Sequence, residues 1–196
     1  MVGAIRRMNK ATEVSLVYVR VGPGAAILPS DVSRIHMEFN HSLNDGHMGP
    51  RKFWRENLPR LKFWNPSIPM IVNRRRGTPG PATMTLYFRK EGGAATVATP
   101  TQQTPSSFEG ASPAPAPVEG ERTVTIDMKQ MHSGVILKEF LEKTGAVPVA
   151  PTPQDEAEVR QMEDLKQRSP VDRARVKKTL DQQRAELAFM KAATKS

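Results

Sequence analysis

The chain has 196 residues, of which 38% are hydrophobic, and a mean hydropathy of -0.50, values that fit one ordinary domain with polar extensions better than a chain packed throughout. It has no cysteine, which excludes a disulfide framework, a thiol nucleophile, a Cys-x-x-Cys redox pair and a Cys-ligated zinc, and no run of about 18 apolar residues that would span a bilayer. The net charge of +9 is concentrated: fifteen Lys and Arg face five Asp and Glu in residues 1–90, acids outnumber bases seven to four in 91–150, and 151–196 is nearly balanced. A half this basic attracts a polyanion, most often nucleic acid, because each neutralised phosphate releases condensed counterions.

Residues 1–20 carry Arg6, Arg7, Lys10 and Arg20 against Glu13, a pattern compatible with a mitochondrial targeting segment or with a structural arm. Val14 to Val21 has strand propensity, while Ile5, Met8, Thr12, Leu16 and Val19 fit helical spacing; a helix running into an extended exit is the preferred reading. Gly22-Pro23-Gly24 ends the segment. Ser33 to His41 then alternates, with Ile35, Met37 and Phe39 on one side and Arg34, His36, Glu38 and Asn40 on the other, as in a half-buried strand. A helix through Val32, Ile35, Phe39 and Leu43 also fits. Asn44-Asp45-Gly46 turns the chain.

Gly49-Pro50 opens a helix whose apolar face carries Phe53, Leu58 and Leu61, and Pro59 inside it predicts a kink or a split into two short turns. Asn65-Pro66 ends it, because the residue before proline is pushed out of the helical region. Pro69 to Val72 reads as a short buried strand with Arg74, Arg75 and Arg76 at its exit. Thr83 to Lys90 alternates clearly and predicts another strand. From Gly92 to Gly120 the composition falls to Ala, Thr, Ser, Pro, Gly and Gln, as in a disordered or extended insertion. Arg122 to Met128 predicts a strand, and Ser133 to about Lys143 a helix stopped by Gly145. Beyond a linker at 148–153, Gln154 to Arg168 reads as one helix and Ser169-Pro170 as the start of another. Its narrow stripe of Val176, Leu180, Leu187 and Met190 either docks on a protein partner or packs back on the domain.

The chemistry concentrates in the basic helix. Arg51, Lys52, Arg55, Arg60 and Lys62 fall within twelve residues, and Arg grips phosphate with a bidentate fork. With Arg74, Arg75 and Arg76 they make the candidate RNA-binding set, and Trp64, at the helix end, is the candidate for stacking on an unpaired base. Packing in the core or at its rim is the preferred reading of Trp54, Phe63 and Trp64, and stacking the lesser one. His36, His41, His47 and His132 have no metal-ligand spacing, and there is no GxGxxG, GxxxxGK[ST] or GxSxG, so no metal, cofactor or catalytic residue is expected.

The run IHMEFNHSLNDGHMGPRKFWRENLPRLKFWNPSIPMIV, Ile35 to Val72, resembles the domain shared by certain mitochondrial ribosomal proteins and the B8 accessory subunit of respiratory complex I. It shows the alternating strand, turn, basic helix, Asn65-Pro66-Ser67-Ile68-Pro69 junction and second strand of that family. Within it, GPGAAILP (Gly22 to Pro29) and HMGPRKFWRENLPRLKFWNP look like the fungal large-subunit members of the forty-nine type. The resemblance covers most of 33–145; the insertion and the tail after 150 depart from it. It implies an α/β, thioredoxin-like fold with a four-stranded mixed sheet and flanking helices, and no catalysis. The implied organisation is a basic arm at 1–29, the domain at 30–146 with its insertion, and a linker and C-terminal helical extension at 147–196. The implied function is a structural role in the mitochondrial large ribosomal subunit, in the matrix, against rRNA and neighbouring ribosomal proteins. The alternative is a complex I accessory subunit acting through protein contacts.

Overall fold

The computed structural model describes residues 16–42, 45–76, 80–89, 105–118 and 120–193. Its strands are β1 (Ala26–Ile27), β2 (Val32–Asn40), β3 (Met70–Arg75), β4 (Thr83–Phe88), β5 (Arg122–Asp127) and β6 (Val147–Pro148). Its helices are α1 (Met48–Glu56), α2 (Leu58–Trp64), α3 (Ser133–Thr144) and α4 (Pro153–Ala193). Residues 16–20 are also helical, in line with the helix preferred there; the rest of that segment, up to residue 15, lies outside the described residues.

The alternation read over 33–41 becomes β2, the centre of a four-stranded sheet in the order β3-β2-β4-β5. β2 runs parallel to β3, to which α1 and α2 connect it, and antiparallel to β4, which is antiparallel to β5. Ile35, Met37, Phe39, Val72, Met84, Leu86, Phe88 and Ile126 form the apolar face. Phe53, Leu58 and Leu61 from α1 and α2, and Ile136, Leu137 and Phe140 from α3, belong to the same core. Each side chain buried this fully contributes about 1.5–3 kcal/mol. Pro59 acts as expected: α1 stops at Glu56 and α2 restarts at Leu58, with the proline in the first turn where its missing amide costs nothing. Gly145, at φ 66°, ends α3 in the left-handed conformation that glycine tolerates best. Gly49 lets α1 lie directly on the loop before α3, since a Cβ there would fall 1.7 Å from the Met131 carbonyl oxygen.

Several expectations change. β3 extends to Arg75, so Arg74 and Arg75 lie within the strand on opposite faces and only Arg76 is at its exit. β2 is not half-buried, because His36, Glu38 and Asn40 on its polar face are also shielded from water. Part of what shields that face is the described part of the insertion, residues 105–118, which is laid against the sheet and is not a disordered loop. Ser107 pairs with the outer edge of β3, donating its amide to Val72 O at 3.0 Å and accepting from Arg74 N at 2.9 Å. Farther on, the Ser112 carbonyl accepts from His36 Nε2 at 2.8 Å and the Pro115 carbonyl from the Tyr87 hydroxyl at 2.6 Å. This strap blocks an edge that would otherwise pair with another chain. Residues 92–104 of the insertion lie outside the described residues.

Residues 18–150 form one compact unit, which includes residues 18–29 of the arm; β1 pairs with β6 there. The other unit contains α4, a single helix of 41 residues, about 60 Å long at 1.5 Å per residue. Thr152 caps it reciprocally with Asp155: Asp155 N donates to Thr152 Oγ1 at 3.2 Å and Thr152 N to Asp155 Oδ2 at 3.0 Å. The second helix start expected at Ser169-Pro170 does not occur. Ser169 Oγ accepts from Arg173 Nη2 at 2.9 Å instead of capping, and Pro170 stands inside the helix, where exposure leaves the carbonyl it deprives of an amide open to solvent.

Candidate nucleic-acid interface

The nine residues singled out from the sequence separate into three groups that do different work. On α1, Lys52 and Arg55 are exposed and make no hydrogen bond or ion pair with any described residue. Arg51, one turn before Arg55, donates from Nη1 to the His41 carbonyl at the end of β2, at 2.8 Å. These three cations follow from the amphipathicity of α1: Phe53 goes into the core and the basic positions remain on the other side.

On α2 the polar groups turn inward onto the chain itself. Arg60 donates from Nε to Tyr18 O at 2.8 Å and from Nη1 to Pro23 O at 2.9 Å. Trp64 donates its indole N–H to Arg20 O at 3.0 Å, and Lys62 Nζ reaches Pro66 O and Ile68 O at 3.0 and 2.8 Å. Burial pulls the Arg60 guanidinium down from its ordinary pKa, opposed by the nearby Glu56. Arg60 and Trp64 therefore anchor residues 18–23, and Lys62 fastens the junction into β3. The sequence had marked all three as facing a polyanion.

The end of β3 holds a cluster. Arg75 pairs with the shielded carboxylate of Glu38 on the strap side. Arg74, on the helix side, lies over the Trp54 ring at 4.6 Å and over the Phe108 ring at 4.7 Å. Arg76 lies over Phe108 at 4.3 Å, and His41 meets Phe108 edge-on at 4.9 Å. Phe108 is the functional candidate that sequence reasoning missed. It is a single aromatic in a low-complexity stretch, with no periodic signal to mark it.

The histidines serve the fold. His36 is held against the strap, and His47, fully buried, accepts from Asn40 N through Nδ1 at 3.3 Å. Burial lowers the pKa of both. No three His, Asp or Glu side chains among the described residues group as a metal site would require.

Residues 50–133 match the family model described as the mitochondrial ribosomal protein L51 / S25 / CI-B8 domain. The large ribosomal subunit protein mL61 of Neurospora crassa is 55% identical over 190 residues, 97% of this chain and 92% of that protein. The chain belongs to this mitochondrial ribosomal protein family. The mL61 protein of Saccharomyces cerevisiae is 28% identical over 127 residues, 65% of this chain and 74% of that protein. Both relatives carry large-subunit names, so neither favours the complex I branch that the family description also includes. The matched span begins at Pro50, inside α1, and takes in α2, the strap and β3 to β5.

Proposed function

We propose that this protein, a structural constituent of the mitochondrial large ribosomal subunit in the matrix, docks on ribosomal RNA through α1 and the adjoining ends of β2 and β3. The observation that carries the docking is the pair Lys52 and Arg55, exposed and unpartnered among the described residues of a family whose relatives are ribosomal. Arg51, Arg74 and Arg76 continue the basic surface, Arg75 is turned to Glu38 on the strap side, and Arg60, Lys62 and Trp64 support the surface from behind by holding the arm and the junction. Lys52 and Arg55 contact phosphates, which sets position without reading a sequence, as suits a fixed place on folded RNA. The role is structural and includes no catalytic step.

The same reading takes the parallel β2-β3 pair with its helical crossover, followed by antiparallel β4-β5 and α3, as a thioredoxin-like fold. It keeps 30–146 as the domain, 1–29 as arm and 147–196 as extension, and places the chain with the forty-nine type on the words at 22–29 and 47–66. Val176, Leu180, Leu187 and Met190 are exposed on α4 and recur at helical spacing, which supports docking of that helix on a neighbouring ribosomal protein. The test is binding of the full chain to mitochondrial large-subunit rRNA as salt is raised, for the natural protein and for Lys52→Glu/Arg55→Glu. Equal affinity of the two at every salt concentration refutes the docking surface.

A further inference from the structure

Trp64, the aromatic that the sequence offers for base stacking, has its indole N–H engaged with Arg20 and its ring against Phe63 at 5.6 Å. The planar group that stands ready is elsewhere. Phe108 is fixed from several sides: by Arg74, by the edge of His41, and by a turn in which Ser107 Oγ accepts the amides of Glu109 and Ala111 at 3.2 and 3.0 Å. Over this fixed ring lies the Arg76 guanidinium carbon, 4.3 Å from the ring centroid, with its side chain 65% exposed. Among the described residues its other partner is the Glu109 carboxylate, 4.0 Å away and 76% exposed.

We propose that the Arg76 guanidinium, held over Phe108, is the platform on which an unpaired rRNA base stacks. This inference rests on the docking surface above and names what that surface recognises beyond phosphate. An arginine held over one aromatic ring can take a base on its outer side, and among the described residues only Phe108 and Glu109 engage the Arg76 guanidinium. Glu109 argues for a base over a phosphate at this point, since a carboxylate repels a phosphate and leaves a neutral ring unaffected. The base must be unpaired, because paired bases present only their edges to a protein. The platform also adjoins the phosphate-binding cations, as Arg51 holds the carbonyl of the same His41 whose ring touches Phe108.

The test uses mitochondrial large subunits assembled with the full chain carrying Arg76→Lys, which keeps the charge and removes the plane, and separately Phe108→Leu. Hydroxyl-radical cleavage maps the protected backbone, and 2′-hydroxyl acylation reports the mobility of each unpaired nucleotide within it. In both variants the backbone protection stays, and one or two unpaired nucleotides become about fivefold or more reactive, the lower end of what a base stack supports. Protection that stays while no unpaired nucleotide changes in Arg76→Lys overturns the stacking platform alone. Absence of any protection that depends on Lys52 and Arg55 overturns the docking surface, and the platform with it.

Discussion

Asn65 acts as a neighbouring strand for Leu28: its Oδ1 accepts the buried Leu28 amide at 2.8 Å, while its Nδ2 donates to Ala26 O and Leu61 O, both at 2.8 Å. One side chain at the end of α2 thus completes the backbone pairing of the arm. Arg60 and Trp64 from the same helix hold the arm farther upstream. The residue that ends the helix is also the one that attaches the N-terminal segment to the domain.

Asn65→Ala leaves the buried Leu28 amide and the Ala26 carbonyl without this partner, while the Leu61 carbonyl keeps the backbone amide of residue 65. It is expected to destabilise the protein by about 2–4 kcal/mol, the cost of stranding such groups away from water. Urea unfolding measures this, and hydrogen exchange should quicken first at Leu28. A loss below about 0.5 kcal/mol would mean that water replaces the side chain.

Gly49→Ala drives a methyl group into the Met131 carbonyl, 1.7 Å from where its Cβ would sit. Helix propensity alone would favour alanine, by up to about 1 kcal/mol. The steric conflict with backbone wins, and a net loss of about 3 kcal/mol or more is expected in denaturant unfolding, since neither main chain can step aside cheaply.

Lys52→Glu/Arg55→Glu should change stability by no more than about 0.5 kcal/mol, because the two side chains are exposed and make no hydrogen bond or ion pair with any described residue. Binding to rRNA should weaken at least tenfold, roughly, and the slope of log affinity against log salt should fall by about 1.5, as for two lost phosphate contacts. Arg60→Gln should behave in the opposite way, lowering stability through the freed arm while changing the salt slope little.

His36 has a folded pKa below its ordinary 6.5, chiefly because burial disfavours the charged ring, with the Ser112 carbonyl opposing. His47 is shifted in the same direction, again by burial. The folded protein therefore binds fewer protons than the unfolded chain once the pH falls below the ordinary value. Stability should be fully present above about pH 6.5 and decline as the pH falls from there through the folded pKa values. His36→Gln, which keeps a donor for Ser112, should flatten this decline in urea midpoints measured between about pH 7.5 and 5.

Much of the frame was legible because local patterning and burial agree. The alternation of Ile35, Met37 and Phe39, the break at Pro59, and the stop at Gly145 each express a backbone constraint that acts within a few residues. The extent of β3 was less legible, since Arg74 and Arg75 read as an exit. They remain in the strand because Glu38 and the Trp54 and Phe108 rings take their charges on opposite faces. The expected half-exposed sheet failed for a related reason. A Ser/Pro/Ala segment has no periodicity, and its place is set by His36, Tyr87 and the edge of β3, which are brought together only by folding.

By itself the sequence determined the order of the four sheet strands and of the helices between and after them up to residue 144, the apolar face of the sheet, the concentration of charge in the first ninety residues and the family. All of these depend on residue type and short-range spacing. Only the tertiary structure decided which cations are free for a partner. That depends on where distant carbonyls lie: Arg60 meets Tyr18 and Pro23, Trp64 meets Arg20 across 44 positions, and Lys52 and Arg55 meet nothing described. A cation looks the same in the sequence whether its hydrogen bonds are spent within the chain or left open.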